Sequence, residues 1–169
     1  MILDLDETFA LARDSFENNR MDEALGRIKT LLAEPEPLPG VRELAARIYS
    51  RLRLYPRAIG LLQQCLAQEP GSTERRIELA MVHQDSGDAD TALTMWEALL
   101  HQYPLMPPAL FNAAWLRAER EQLAEAHRHL DVLLQTVPQD NLYAGRAREL
   151  KRLLQERVQP VSAVPLASS

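Results

Sequence analysis

Lysine is almost missing from this chain, where Lys29 and Lys151 stand beside 17 arginines. The bias carries no mechanism and points, by association only, to a GC-rich bacterial genome. Cysteine is represented by Cys65 alone, so neither an internal disulfide nor a cysteine-based zinc site is available, which fits a reducing compartment. No segment approaches the ~20 consecutive apolar residues needed to cross a bilayer, and MILDLDETFA has neither the basic stretch nor the apolar run of a secretory signal. A soluble, cytoplasmic protein without membrane insertion is the expectation. Positive charge is also short: the net charge is -5 and the pI about 5.4, which argues against nucleic acid or an anionic membrane surface as partner. What the chain does have is apolar content, 46% of 169 residues, enough for the core of one domain.

That content is periodic. In units beginning at Leu5, Pro39, Thr73 and Pro107, three columns hold one residue type with no gap. They are Ala12, Ala46, Ala80 and Ala114; Ala24, Ala58, Ala92 and Ala126; and Leu32, Leu66, Leu100 and Leu134, each 34 residues from the next. A fixed period of this size marks a repeat architecture. Within each unit, apolar residues recur at spacings of three and four on both sides of a short polar break, the pattern of two amphipathic helices. Gly87 suits the positive φ that ends a helix, Asp88 or Asp90 suits the cap of the next, and Pro56 suits a first turn. Proline near the end of each unit stops its second helix. The alanine columns allow two helices to approach closely without glycine's helix penalty.

These features resemble the tetratricopeptide repeat, a 34-residue helix-turn-helix with small residues at these two places and proline near its end. The resemblance covers Leu5 to Asp140, in repeats 5–38, 39–72, 73–106 and 107–140. It departs from the family in lacking an early Trp, in keeping the inter-helix Gly only as Gly87, and in having Ser15, His83 and Arg117 where Tyr49 matches the family's tyrosine. It implies an all-α, right-handed superhelical solenoid of antiparallel helix pairs. Residues 141–157 read as a capping helix whose apolar content is Leu142, Leu150, Leu153 and Leu154. The uncharged, proline-containing segment 158–169 reads as a disordered tail.

In this family the first helices line a concave surface that receives a peptide or helix of another protein. Carried over by position, that groove comprises Phe9, Arg13 and Phe16; Leu44, Arg47 and Arg51; Ile77, Glu78, Met81 and Gln84; and Phe111, Asn112, Trp115 and Glu119. Phe9, Ile77 and Phe111 share one register as apolar anchors. Trp96, from a second helix, belongs to the core. Charge runs -5 in residues 1–38, then +3, -4 and -2 in the next three repeats, and +3 beyond. Arg42, Arg47, Arg51, Arg53 and Arg57 form a basic belt suited to an acidic segment. The implied partner is another protein, contributing an apolar or acidic peptide or helix. The implied role is adaptor or chaperone, in a secretion, motility or envelope assembly. Self-association into a structural scaffold is the alternative. The clamp by which some family members grip acidic chaperone termini is not met, since Phe9, Leu44, Glu74 and Glu78 stand at positions that need Lys, Asn or Arg.

Catalytic readings fail on missing parts. Asp4, Asp6 and Thr8 follow the D-x-D-x-T order of haloacid-dehalogenase-type phosphatases, but that chemistry needs a buried strand end, a downstream Lys and an acidic pair for magnesium. Asp6 and Glu7 suit a helix N-terminus instead. His127 and His129 are two apart and point to different helix faces, DSGDAD lacks a calcium loop's layout, and Cys65 shares a core column with Leu31, Leu99 and Leu133. No catalytic residue, metal or cofactor is expected.

Overall fold

A computed structural model describes residues 4–158, and the tail expected over 158–169 lies outside the described residues except for its first position. Among the described residues there are nine helices and no strand. They are α1 (Leu5–Glu17), α2 (Met21–Leu32), α3 (Val41–Arg51), α4 (Tyr55–Gln68), α5 (Thr73–Asp85), α6 (Ala89–Gln102), α7 (Pro107–Glu119), α8 (Leu123–Thr136) and α9 (Leu142–Val158). The chain divides into two compact units, Met1–Ala92 and Leu93–Ser169. In the first, α1 packs on α2, α3 on α4, and α2 and α4 each on the next odd-numbered helix. In the second, α7 packs on α8, and α9 lies against both.

The even-numbered helices begin at Met21, Tyr55, Ala89 and Leu123, each 34 residues after the last. The connection before each of them is the same device. Asn19, Arg53, Gly87 and Glu121 all take the left-handed conformation, with φ of 58, 57, 88 and 61°. The next amide donates back to the carbonyl five residues earlier: Arg20 to Ser15, Leu54 to Tyr49, Asp88 to His83 and Gln122 to Arg117, at 2.7–3.0 Å. The left-handed residue donates to the carbonyl three residues before it, at 2.9–3.1 Å. Two carbonyls orphaned at the helix end are thereby satisfied in every repeat, a Schellman ending. Only in the third repeat does glycine occupy the left-handed position. Asp88 then caps α6, its Oδ1 accepting the Thr91 amide at 3.2 Å.

Both alanine columns are fully buried, every member at 0 or 1% exposure. The leucine column Leu32, Leu66, Leu100 and Leu134 is only half-buried, while the column one residue earlier, Leu31, Cys65, Leu99 and Leu133, lies in the core. A further column carries the large core side chains, Ile28, Leu62, Trp96 and Leu130, all at 1% or less. Its four residue types differ, so only its common size and period betray it.

The second repeat starts two residues later than the spacing predicts, at Val41 instead of Pro39, and α2 has 12 residues where α4, α6 and α8 have 14. Pro35, Pro37 and Pro39 are the cause, because the residue before each proline is driven out of the helical region. Gly40 follows at φ 85°, and a Cβ there would meet Phe9 Cζ at 3.2 Å. The capping helix buries Ala144, Ala147, Leu150 and Leu154. Leu142 and Leu153, expected in that stripe, are 65 and 40% exposed, because they fall off the three-and-four spacing of the buried face.

Candidate functional site

Of the groove positions, one repeat column is exposed throughout the described structure: Arg13, Arg47, Met81 and Trp115, each on an odd-numbered helix. It lies next to the buried column Ala12, Ala46, Ala80 and Ala114, so the helix pairing that buries one column turns the next toward solvent. Met81 is 46% exposed and Trp115 39%. Phe9, Ile77 and Phe111, expected as aligned anchors, are only half-buried. Phe9 packs against Gly40 and lies under Arg13, whose guanidinium carbon is 5.0 Å from the ring centre. Leu44 is a core residue at 8% exposure and presents almost nothing to solvent.

In the first unit part of the basic belt is engaged by its neighbours. The Arg47 guanidinium donates to Glu78 at 2.7 Å through Nε, approaches the same oxygen at 2.5 Å through Nη2, and reaches Glu74 at 3.4 Å. Arg51 lies 5.3 Å over Phe16, and Arg57 5.6 Å over Tyr49. Arg53 is the left-handed turn residue. Three of the five cations counted along the sequence, Arg47, Arg51 and Arg57, thus sit in separate local contacts. Between α3 and α5 a cavity of about 220 Å³ opens, lined by Ala46, Arg47, Ser50, Leu62, Glu78, Met81, Val82 and Asp85. Asp85 is exposed, and partial desolvation raises its carboxyl pKa from the ordinary value.

In the second unit, Phe111 stands 6.4 Å from Trp115 and 6.0 Å from Tyr143, the last under Arg146. The Trp115 Nε1–H donates to Glu119 at 2.9 Å, and the Asn112 amide donates to the Pro108 carbonyl at 2.8 Å. Trp115, Ala118 and Glu119 of α7 and Leu150, Leu153 and Leu154 of α9 enclose a notch of about 130 Å³. Leu153, 40% exposed, lines this notch and does not belong to the buried face of α9.

The column Ser15, Tyr49, His83 and Arg117 keeps a polar or cationic partner in each repeat despite its changing identity. Ser15, 1% exposed, accepts from Arg27 at 2.8 Å and donates to Glu23 at 3.3 Å. The Tyr49 ring lies under Arg57. His83 pairs with Asp88 at 3.0 Å, and Arg117 bonds Glu97 and, at 3.1 Å, Gln122. Trp96 is fully buried, as core. Cys65 is 2% exposed, and burial pushes its thiol pKa up, the opposite of what a nucleophile needs. Asp4 caps α1, accepting the Leu5 amide at 2.7 Å, with Asp6 and Glu7 in the first turn. The strand that phosphatase chemistry would require is thus replaced by a helix. His129 is tied to the Glu125 carbonyl at 3.0 Å, and desolvation lowers its pKa. Among the described residues no three His, Cys, Asp or Glu side chains cluster as metal ligands, and no helix is long and apolar enough to cross a membrane.

A family model described as tetratricopeptide repeat matches residues 77–141. No curated protein matches the chain in sequence. Among solved structures, YrrB, described as a TPR protein with an unusual peptide-binding site, is 21% identical over 86% of this chain and 74% of its own, with a TM-score of 0.72. TTC0263 of Thermus thermophilus, a thermophilic TPR protein, is 19% identical over 88% of this chain and 82% of its own, with a TM-score of 0.69. MamA AMB-1 is 18% identical over 80 and 79%, with a TM-score of 0.67. At these identities the likeness is one of fold, all-α and solenoid-like in class.

Proposed function

We propose that the chain is a tetratricopeptide-repeat protein, as the family model over residues 77–141 and the fold it shares with YrrB support, and that it is a non-enzymatic binding module whose odd-numbered helices receive a peptide or helix from a partner protein. Proteins of this fold serve in general as protein-interaction modules. The observation that carries the reading is the column Arg13, Arg47, Met81 and Trp115, exposed on α1, α3, α5 and α7. Met81 and Trp115 keep 46 and 39% exposure at one repeat position, and both are among the residue types that dominate protein interfaces. YrrB is described as having a peptide-binding site, which supports the same mode here. Residues 1–157 act in this reading as one binding domain, in the cytoplasm of a bacterium, as adaptor or chaperone for a secretion, motility or envelope assembly.

The scaffold alternative is weakened by α9. At the place where a further repeat would need the alanine of the first column it carries Arg148, 34 residues after Ala114. Arg148 donates to the Gln139 carbonyl at 2.7 Å and is exposed. A bulky charged residue there opposes the close approach of another helix.

The test is a pull-down from native extract with wild type beside a Met81→Ala, Trp115→Ala double variant that keeps its helical circular dichroism. Partner capture by wild type and its loss in the variant is the expected result. Equal capture by both would move the site off the odd-numbered helices.

A further inference from the structure

We propose that the cavity between α3 and α5 is a receptor for a lysine or arginine side chain of the partner segment, with the aliphatic stem on Met81, Val82 and Leu62 and the cationic head on Asp85. The proposal rests on the reading of the odd-numbered helices as the binding face and names what one position of that face recognises.

Three observations lead to it. The first is size and lining. At about 220 Å³ the cavity holds several times the ~30 Å³ a water occupies in the liquid. Its apolar lining is the buried Ala46, Leu62 and Val82 together with the half-exposed Met81. A lining that joins these apolar side chains to the Asp85 carboxylate suits a snorkelling Lys or Arg stem, and no short acidic side chain has such a stem.

The second is charge. Arg47, in the cavity lining, bonds Glu74 and Glu78, whereas Asp85, in the same lining, has no cationic partner. The Asp85 side chain makes no hydrogen bond or ion pair among the described residues, and although the residue is exposed, partial desolvation raises its pKa. Asp85 is itself exposed, so its carboxylate is open to an incoming cation, and an opposite charge close by would favour its ionised form.

The third is position. Asp85 is the last residue of α5, at the negative end of the helix dipole, where an acidic residue is unfavourable and a cation is favoured. Neither the helix nor its immediate neighbours gain from an aspartate here. The acidic partner implied by the arginine count is therefore the wrong complement for this pocket, whose own cation is already engaged.

The experiment uses the full chain, ¹⁵N-labelled, and four blocked pentapeptides of sequence Ala-Leu-Xaa-Leu-Ala with Lys, Arg, norleucine or Glu at the centre. Expected are amide shifts at Met81, Val82 and Asp85 with the Lys and Arg peptides. Their binding should be at least about tenfold tighter than the norleucine peptide's, the scale of one partly desolvated charged hydrogen bond. In Asp85→Asn, whose fold the unchanged spectrum elsewhere verifies, the Lys peptide should fall to within about twofold of norleucine. Equal binding of Lys and norleucine peptides by wild type overturns the proposal, as does a Lys preference that survives Asp85→Asn. Shifts confined to Phe111 and Trp115 overturn it while leaving the odd-helix binding face standing. No shift with any of the four peptides also overturns it, and the pull-down then decides the broader reading separately.

Discussion

Three of the four inter-helix turns place a side chain where glycine is favoured. Asn19, Arg53 and Glu121 hold φ near +60°, and asparagine is the best tolerated of the three there. Arg53→Gly and Glu121→Gly should each stabilise the protein by about 1 kcal/mol, read as a higher denaturation midpoint in urea, because the left-handed strain is relieved where no helix interior is weakened. Gly87→Ala should cost a similar amount, although no atom lies within 4 Å of the added Cβ. Asp85 gives a pH-dependent counterpart. Its folded pKa lies above the ordinary value, so it favours folding only in the protonated form, and that contribution is lost as pH rises through the folded pKa. Asp85→Asn should therefore raise stability at pH 7 by a few tenths of a kcal/mol. The gain should vanish near pH 3, below the ~3.9 of an unperturbed aspartate. A titration of melting temperature against pH for both proteins checks it.

At the scale of helices, the sequence spelled out pairs, order and period because invariant alanines need a fixed partner distance and a period of 34 repeats it. The fully buried column Ile28, Leu62, Trp96 and Leu130 was illegible as a column, since four unlike side chains fill equivalent volumes and identity matching sees nothing. The late start of α3 follows from three prolines whose combined effect overrides the period. The role of α9 was half legible. Its buried stripe of Ala144, Ala147, Leu150 and Leu154 covers α7 and α8 as a cap should, but apolarity alone did not separate those residues from Leu142 and Leu153. Deleting residues from Leu142 onward should expose the core around Leu110, Leu130 and Leu133. The expected result is a second unit that unfolds at markedly lower denaturant than the first, visible as a separate transition in Trp96 and Trp115 fluorescence, which both belong to that unit.

For the whole molecule, function lies in what the repeats leave uncovered. The sequence supplied a list of odd-helix positions but could not rank them, because exposure at a given repeat position depends on how neighbouring helices close over it. Packing takes Leu44 into the core and Phe9 against Gly40, and leaves Met81 and Trp115 in solvent. Nor does a count of arginines reveal their pairing: the second repeat carries +3, yet Arg47, Arg51 and Arg57 lie on Glu74 and Glu78, Phe16 and Tyr49 respectively. The most direct measurement is photo-crosslinking in the native cell, with a benzophenone side chain at Met81, at Trp115, or at the exposed Gln64 of even-numbered α4 as control. The same partner adduct from positions 81 and 115, with none from 64, is predicted. Adducts from 64 and none from 81 or 115 would contradict binding through the odd-numbered helices.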